Sequence, residues 1–362
     1  MFTQEYQSIA ATALRVDVMT TIADFERCRS NWEMLYQADR YAQVFLTWTW
    51  LREQIAIQHQ QLQILVAFQG NQPIGVLPLR WGRPNRFSLP LERQLCMVGN
   101  PQADYTGMLC LPEAETQVIE AFANYLRAQA DWGVMQLRDV IDPRCATLIE
   151  LLSNAPGYDL YRYRGAICPY IDLPASWETY LTENVSTKQR KNLRKALKTL
   201  EEDPSVTIGQ TTPDRFESDF ADFVQVYQLR WGKLSRYKRQ QMEDLARSGI
   251  NHGIIRMYIF RQGAQVVAGE MLFFDAKNKS LCGYQRGYDP QFKKLSPGNA
   301  AVAYVIRQAI SDGLARFDFL RGDEGYKSKF GTRDRWTEHF LVARSRRSRM
   351  LRKAVFSVFG GR

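Results

Sequence analysis

The strongest constraint in this sequence is an order of segments that occurs twice. Residues 62–79, LQILVAFQGNQPIGVLPL, and 254–274, IIRMYIFRQGAQVVAGEMLFF, each read as an apolar strand, a turn and a second apolar strand. A tight hairpin turn needs positive φ, which Gly70-Asn71 supplies in one copy and Gly263 in the other. Upstream of each hairpin lies a helix-like segment opening on Asp-Phe, DFERCRSNWEMLYQAD (24–39) and DFADFVQVYQLRWGKL (219–234). Downstream of each come a second helix and a short strand. These are roughly 114–131 with VMQLRDV (134–140), and 298–312 with ARFDFLRG (315–322). The copies lie about 190 residues apart, and duplication is the economical source of such an order. Antiparallel hairpins alternating with helices predict an α/β fold (an α+β mixed sheet) in two tandem copies.

A chain of 362 residues holds two ordinary domains. With 45% hydrophobic and 24% charged residues it has the make-up of folded protein rather than of disorder. The formal charge of +10 favours acidic partners: phosphate-bearing donors, nucleic acid or an anionic membrane face. Cys28, Cys96, Cys110, Cys145, Cys168 and Cys282 include no C-x-x-C pair and are expected as reduced, mostly buried thiols. His59, His252 and His339 stand far apart with no metal-ligand partner at i+4, so neither a metal site nor a Ser-His-Asp triad is expected. Neither a signal peptide nor an uninterrupted apolar run of about 18 residues is read, which points to a cytoplasmic protein.

Three stretches carry candidate chemistry. Residues 284–313, YQRGYDPQFKKLSPGNAAVAYVIRQAISDG, run from a strand past two lysines into an amphipathic helix. Pro297 suits the first helical turn and Ser296 its cap. The N–H groups of Gly298, Asn299 and Ala300 are then expected to point out of the helix start, unpaired and partly positive, behind Lys293 and Lys294. That is an anion site in outline, and equally an ordinary helix start. Glu270, in VVAGEMLFF, is an acid inside an apolar strand. Burial would raise its pKa toward the range of a general base, whereas strand alternation would turn it to solvent. Asp104, in ADYTG, reads either as a cleft residue between the copies or as turn chemistry, and Asp289 is a third, weaker candidate because Asp-Pro favours turns. Between the copies, STKQRKNLRKALKTLEED (186–203) predicts a helix capped by Ser186 with Leu193, Leu197 and Leu200 on one face. Its cations Lys188, Arg190, Lys191, Arg194, Lys195 and Lys198 form either a solvated face or the wall of a groove for a phosphorylated donor or acceptor.

Together with the Trp48/Trp50 cluster of FLTWTW, GVLPLR (75–80), NPQADYTGMLC (100–110) and FDFLRGDEGYKSKFG (317–331), these segments follow a familiar sequence. The chain resembles the GNAT superfamily of acyltransferases. More narrowly it resembles the tandem-GNAT acetyltransferases associated with cellulose biosynthesis (CelD-like, BioF2-like), related in fold to Fem-type aminoacyltransferases. The resemblance runs from about residue 15 to 345. It implies two tandem GNAT-like domains, 14–165 and 166–345, followed by a basic amphipathic tail, 346–362. It also implies acetyl-CoA or another acyl-CoA as donor co-substrate, with the pyrophosphate on Lys293, Lys294, Ser296, Gly298, Asn299 and Ala300. The loop KKLSPGNAA departs from the superfamily's Gln/Arg-x-x-Gly-x-Gly/Ala, which leaves an acyl carrier protein or aminoacyl-tRNA open as donor. The first copy has VGNPQADYTG in the corresponding place and is expected to bind acceptor or to act as a structural partner.

On this reading Glu270 and Asp104 are the candidate bases, and Lys327 neutralises charge on donor or acceptor. Tyr105, Tyr288 and Tyr326 contact substrate, and backbone N–H groups between Tyr284 and Tyr288 meet the oxyanion. The expected reaction moves an acetyl or acyl group to an amine or hydroxyl of a sugar or cell-envelope precursor. Two alternatives stand beside it: Fem-like aminoacyl transfer, which makes tRNA a partner, and a non-catalytic polysaccharide-binding derivative. The tail, RSRRSRMLRKAVFSVFGGR, carries seven cations and no acid, with Leu351, Val355, Val358 and Phe359 on one helical face. It fits peripheral contact with an anionic membrane or docking on its own domain.

Overall fold

The computed structural model describes residues 14–58, 61–82 and 93–344, so His59 and the tail at 346–362 lie outside the described residues. The first half opens with β1 (Leu14–Met19), α1 (Ile22–Arg27), α2 (Arg29–Ala38) and α3 (Trp48–Gln58). There follow the hairpin β2 (Leu62–Gln69) and β3 (Gln72–Gly82), then β4 (Gln94–Met97) and the short β5 (Leu109–Cys110). It closes with α4 (Glu115–Ala128), β6 (Val134–Val140), α5 (Pro143–Ser153) and β7 (Asp159–Asp172). Two helices, α6 (Trp177–Glu183) and α7 (Thr187–Glu201), lead into the second half. That half holds β8 (Val206–Gln210), α8 (Phe216–Trp231), α9 (Arg236–Asn251) and the hairpin β9 (Ile255–Gln262) and β10 (Gln265–Asp275). It ends with β11 (Ser280–Tyr288), α10 (Pro297–Ser311), β12 (Arg316–Asp318) and β13 (Arg333–Ala343).

The duplicated order is present, and both hairpins turn on left-handed glycines, Gly70 at φ 59° and Gly263 at φ 58°. Two local expectations change. The helix expected over 24–39 divides at Cys28, whose ψ of 3° ends α1 and starts α2 at a new angle. The strand expected over 315–322 stops at Asp318, because Leu320 turns the chain with a φ of 56°.

All the described strands form one mixed sheet in the order β1-β2-β3-β4-β6-β13-β7-β12-β11-β10-β9-β8, with β5 beside β3. The order is a palindrome. In each half the strands flanking the second helix are parallel, β4 with β6 and β11 with β12. At the centre the copies interlock. β13 pairs with β6 of the first half, β7 pairs with β12 of the second, and β7 and β13 pair antiparallel from Arg333↔Tyr170 to Ala343↔Asp159. β7 runs unbroken through residue 165. Close approach there uses Gly165, where an added Cβ would lie 2.2 Å from Thr337 Oγ1.

Both faces of the second hairpin are covered. α8 packs on β10 and β11 from one side and α10 from the other. Helix α8 comes so close that a Cβ on Gly287 would lie 2.3 Å from the backbone of Val226 and Tyr227. Helix α7 rests on α10 through Leu193, Ala196, Leu197 and Leu200, and Glu201 pairs with Arg307 of α10. Ser186 caps α7 as expected, accepting from the Gln189 N–H. No helix among the described residues is long and apolar enough to cross a membrane.

Because backbone rather than a flexible side chain opposes Gly287, Gly287→Ala should force α8 off β11 and cost about 1–3 kcal/mol. A lowered thermal midpoint in circular dichroism checks this; an unchanged midpoint would mean that α8 is not held against the strand.

Candidate active site

The site begins where two parallel strands part. β11 pairs with β12 over three residues, from Ser280↔Arg316 to Cys282↔Asp318. Beyond that point the chain after β12 follows β7, with Phe319 N–H on the Pro169 carbonyl and Gly322 N–H on that of Ile167. β11 meanwhile stays with β10 and gains a bulge, since Met271 faces Gln285 and Leu272 faces Gly283, leaving Tyr284 as the extra residue. Gly283 to Tyr288 therefore carry no ladder on that side. The gap between them and Phe319–Arg321 is a cavity of about 80 Å³, lined also by Asp104, Glu270, Glu324, Tyr326 and Lys327.

Period-two alternation decides which side chains enter it. Gly269, Met271 and Gly287 face α8, which puts Glu270 and its cross-strand partner Arg286 on the side of α10. Because that face is covered too, Glu270 is only 4% exposed rather than turned to solvent. Burial raises its pKa to about 7, and the positive charges of Arg286 and Arg230 pull only partly against it. Arg286 Nη1 stands 3.9 Å from the carboxylate, too far for a hydrogen bond. Burial in turn lowers the Arg286 guanidinium to about 10, and it lies 3.7 Å over the Tyr326 ring.

Asp104 reaches the same cavity from the first half. Its carboxylate receives Arg321 Nε at 2.6 Å, while Arg321 Nη1 donates to Asp139 at 2.7 Å and Nη2 to the Pro101 carbonyl at 2.9 Å. Burial pushes the Asp104 carboxyl above its ordinary value, against the pull of Arg321. Burial also works against the charge on Asp139, but His339 and Arg321 hold that carboxyl below the ordinary range. Lys327 lines the cavity with its ammonium turned to the chain. It donates to the carbonyls of Arg321 at 3.0 Å and Gly322 at 3.1 Å, and pairs with Glu324 at 2.8 Å. It thus holds the turn that carries Arg321.

The adjoining cleft, about 390 Å³, is lined by Arg230, Tyr288, Lys293, Ser296, Gly298 and Asn299, and shares Arg286 and Tyr326 with the first cavity. Pro297 opens α10 as expected. Ser296 does not cap it: the residue is left-handed, φ 47°, and its side chain makes no capping bond. Its carbonyl instead accepts the N–H groups of Asn299 and Ala300, so the expected fan of three free donors is reduced to Gly298. A Cβ there would sit 3.0 Å from the Tyr288 ring.

Of the residues singled out in the sequence, Glu270, Asp104, Lys327 and Tyr326 thus meet in one cavity, and Tyr288, Lys293, Ser296, Gly298 and Asn299 in the next. Ala300 is buried in the core. Lys294 faces another groove, beside α7. Tyr105 lies apart, its hydroxyl donating to Asp318 at 3.0 Å and accepting from Arg335 at 2.7 Å in a charged network between the halves. Arg230, Arg286 and Arg321 were missed. Counting the hairpin register back from the turn at 276–279 places Gln285 opposite Glu270; the bulge at Tyr284, which the sequence does not announce, moves Arg286 there.

Comparison with known proteins agrees with this fold. Residues 187–328 match the family described as an acetyltransferase (GNAT) domain. The whole chain is similar in fold to the crystal structure of FemX, at 10% identity and a TM-score of 0.64, covering 95% of this chain and 99% of that one. It is also similar to L-PGS from Bacillus licheniformis, at 11% identity and a TM-score of 0.54, covering 92% and 97%. A third likeness is to the C-terminal domain of a putative lysylphosphatidylglycerol synthetase from Agrobacterium fabrum, at 10% identity and 0.54, covering 93% and 97%. Among curated proteins none matches the sequence.

Arg321 offsets two buried carboxylates, so Arg321→Met should cost about 2–4 kcal/mol at pH 8. Without the cation the folded-state pKa of Asp104, already raised by burial, rises further and that of Asp139 rises too, so the penalty grows with pH and shrinks at pH 5. Urea denaturation at both pH values checks this; equal losses would assign Arg321 to packing alone.

Proposed function

We propose that this chain, which carries a GNAT acetyltransferase domain on an acyltransferase fold, transfers a short acyl group from acyl-CoA. Acetyl is the group intended, and the acceptor is an amine or hydroxyl of a sugar or cell-envelope precursor. The observation that carries the reading is Glu270, a carboxylate with a pKa near 7, enclosed in a small chamber that opens on the donor cleft through Arg286 and Tyr326. Such a group is half-ionised at neutral pH and close to the acceptor's path, which is what a general base needs.

In the proposed cycle the donor's pyrophosphate rests on the Gly298 N–H, Lys293 and Arg230, with the thioester directed past Tyr288 to the gap beside β11. Acceptor nitrogen or oxygen attacks the thioester carbonyl and Glu270 takes its proton. The carbonyl oxygen becomes an oxyanion, met by backbone N–H groups of Gly283–Tyr288 that no strand occupies. Collapse breaks the C–S bond, and the proton passes from Glu270 to the departing thiolate. Asp104 and Lys327 act as positioning residues: one fixes Arg321 from the first half, the other fixes the turn after β12. The chamber's size suits two carbons better than a long chain.

One observation favours the second reading, transfer from aminoacyl-tRNA. The donor loop keeps a single free N–H at Gly298 where a pyrophosphate cradle would use several. Single-turnover transfer of labelled acetyl from acetyl-CoA to a panel of amino sugars and lipid-linked sugars tests the first. Transfer from aminoacyl-tRNA alone would overturn it.

Glu270→Gln should lower kcat/KM by about 10²–10⁴, and the wild-type kcat/KM should rise through about pH 7 as Glu270 loses its proton. Stability moves the other way. A carboxyl raised from 4.5 to about 7 on folding binds its proton more tightly in the native state, so stability falls as pH increases across that interval. The Gln variant should therefore be more stable than wild type by about 2–4 kcal/mol at pH 8, with the gain shrinking toward pH 5. Parallel pH–rate profiles and thermal melts check both; a variant retaining full activity would remove Glu270 from the mechanism.

A further inference from the structure

Helix α7 has no counterpart in the first copy of the repeat, yet it forms one wall of a groove at the donor loop. The groove, about 560 Å³, lies between α7 and residues 293–299 and shares Lys293, Ser296 and Asn299 with the donor cleft. Four ammonium groups line it: Lys195 from α7, Lys293 and Lys294 from the loop, and Lys329 from the turn after β12. No carboxylate lines it, and among the described residues none of the four lysines forms an ion pair. Three other cations of α7 are already committed. Arg190 donates to the carbonyls of Leu181 and Thr182, Arg194 pairs with Glu178, and Lys198 pairs with Glu202. Four like charges around one cavity repel each other, and a multiply charged anion between them reverses that repulsion.

We propose that this groove is a second anion subsite, holding the 3′-phosphate of the donor's nucleotide while the cleft beside Gly298 holds its pyrophosphate. The subsite rests on the acyl-CoA reading of the function, and it gives α7 a role in choosing the donor. A phosphate bears about −1.5 to −2 charges at neutral pH and presents three acceptor oxygens, which suits converging ammonium groups with no carboxylate among them. Lys293, Ser296 and Asn299 line both cavities, and the proposed ligand reaches from one to the other across them.

The test is calorimetric titration of the full chain with coenzyme A, dephospho-coenzyme A and adenosine 3′,5′-bisphosphate. Wild type should bind coenzyme A roughly tenfold more tightly than the dephospho form, the sum expected of several partly screened charge pairs. Adenosine 3′,5′-bisphosphate alone should bind measurably. The double variant Lys195→Ala/Lys294→Ala should lower coenzyme A affinity to the dephospho level and leave dephospho-coenzyme A unchanged. Equal affinity of wild type for both coenzymes would overturn the subsite and leave the acyl-CoA reading standing. Binding of neither would overturn that reading and the subsite with it. Equal loss of both ligands in a double variant that melts at the wild-type temperature would assign the lysines to the cleft at large, against a distinct subsite.

Discussion

The antiparallel pairing of β7 with β13 holds the rest of this structure in place. Without it there would be two separate sheets, each ending on an unsatisfied edge, one at β13 and the other at β7. With it, each copy lends its last strand to the other and the ladder runs through. The small residues and hydrogen bonds at the seam follow from that closeness. Gly165 leaves room for Thr337 and His339, and Thr337 Oγ1 accepts the Ala166 N–H at 2.8 Å.

The seam also explains why the candidate site draws on both halves. The gap beside β11 exists because the chain after β12 leaves its parallel partner to follow β7, a strand supplied by the first copy. Arg321 sits on that departing segment and is gripped by Asp104, Asp139 and the Pro101 carbonyl, all from the first half. The copies have therefore diverged in work. One brings the hairpin, the bulge and the loop before α10; the other supplies the strand that opens the gap and the carboxylates that hold Arg321 beside it.

Much of this was legible in the sequence, and the failures have a common cause. The repeated order, both hairpin turns and the apolar face of α7 depend on spacing and on glycine conformations that neighbours along the chain decide. Glu270 was left between burial and exposure because alternation names two faces and cannot say that α8 and α10 cover both. The strand exchange was invisible, since β7 and β13 choose partners far away in sequence. Arg321 was passed over for the same reason: its partners lie some 180–220 residues off. Ser296 was misjudged locally. A serine before Pro-Gly-Asn reads as a cap, but its left-handed backbone turns the carbonyl, not the hydroxyl, toward the helix N–H groups.

The exchange of last strands has a consequence for how the chain is made. During synthesis the first half emerges complete except for the neighbour of β6, which arrives only with residues 333–343. Until then β6 offers a bare ladder edge and β7 has at most the three residues of β12 beside it, so both are open to mispairing on the ribosome. The N-terminal copy cannot finish folding ahead of its twin, as strung domains commonly do. The two must close together, in one late step, at the middle of the sheet.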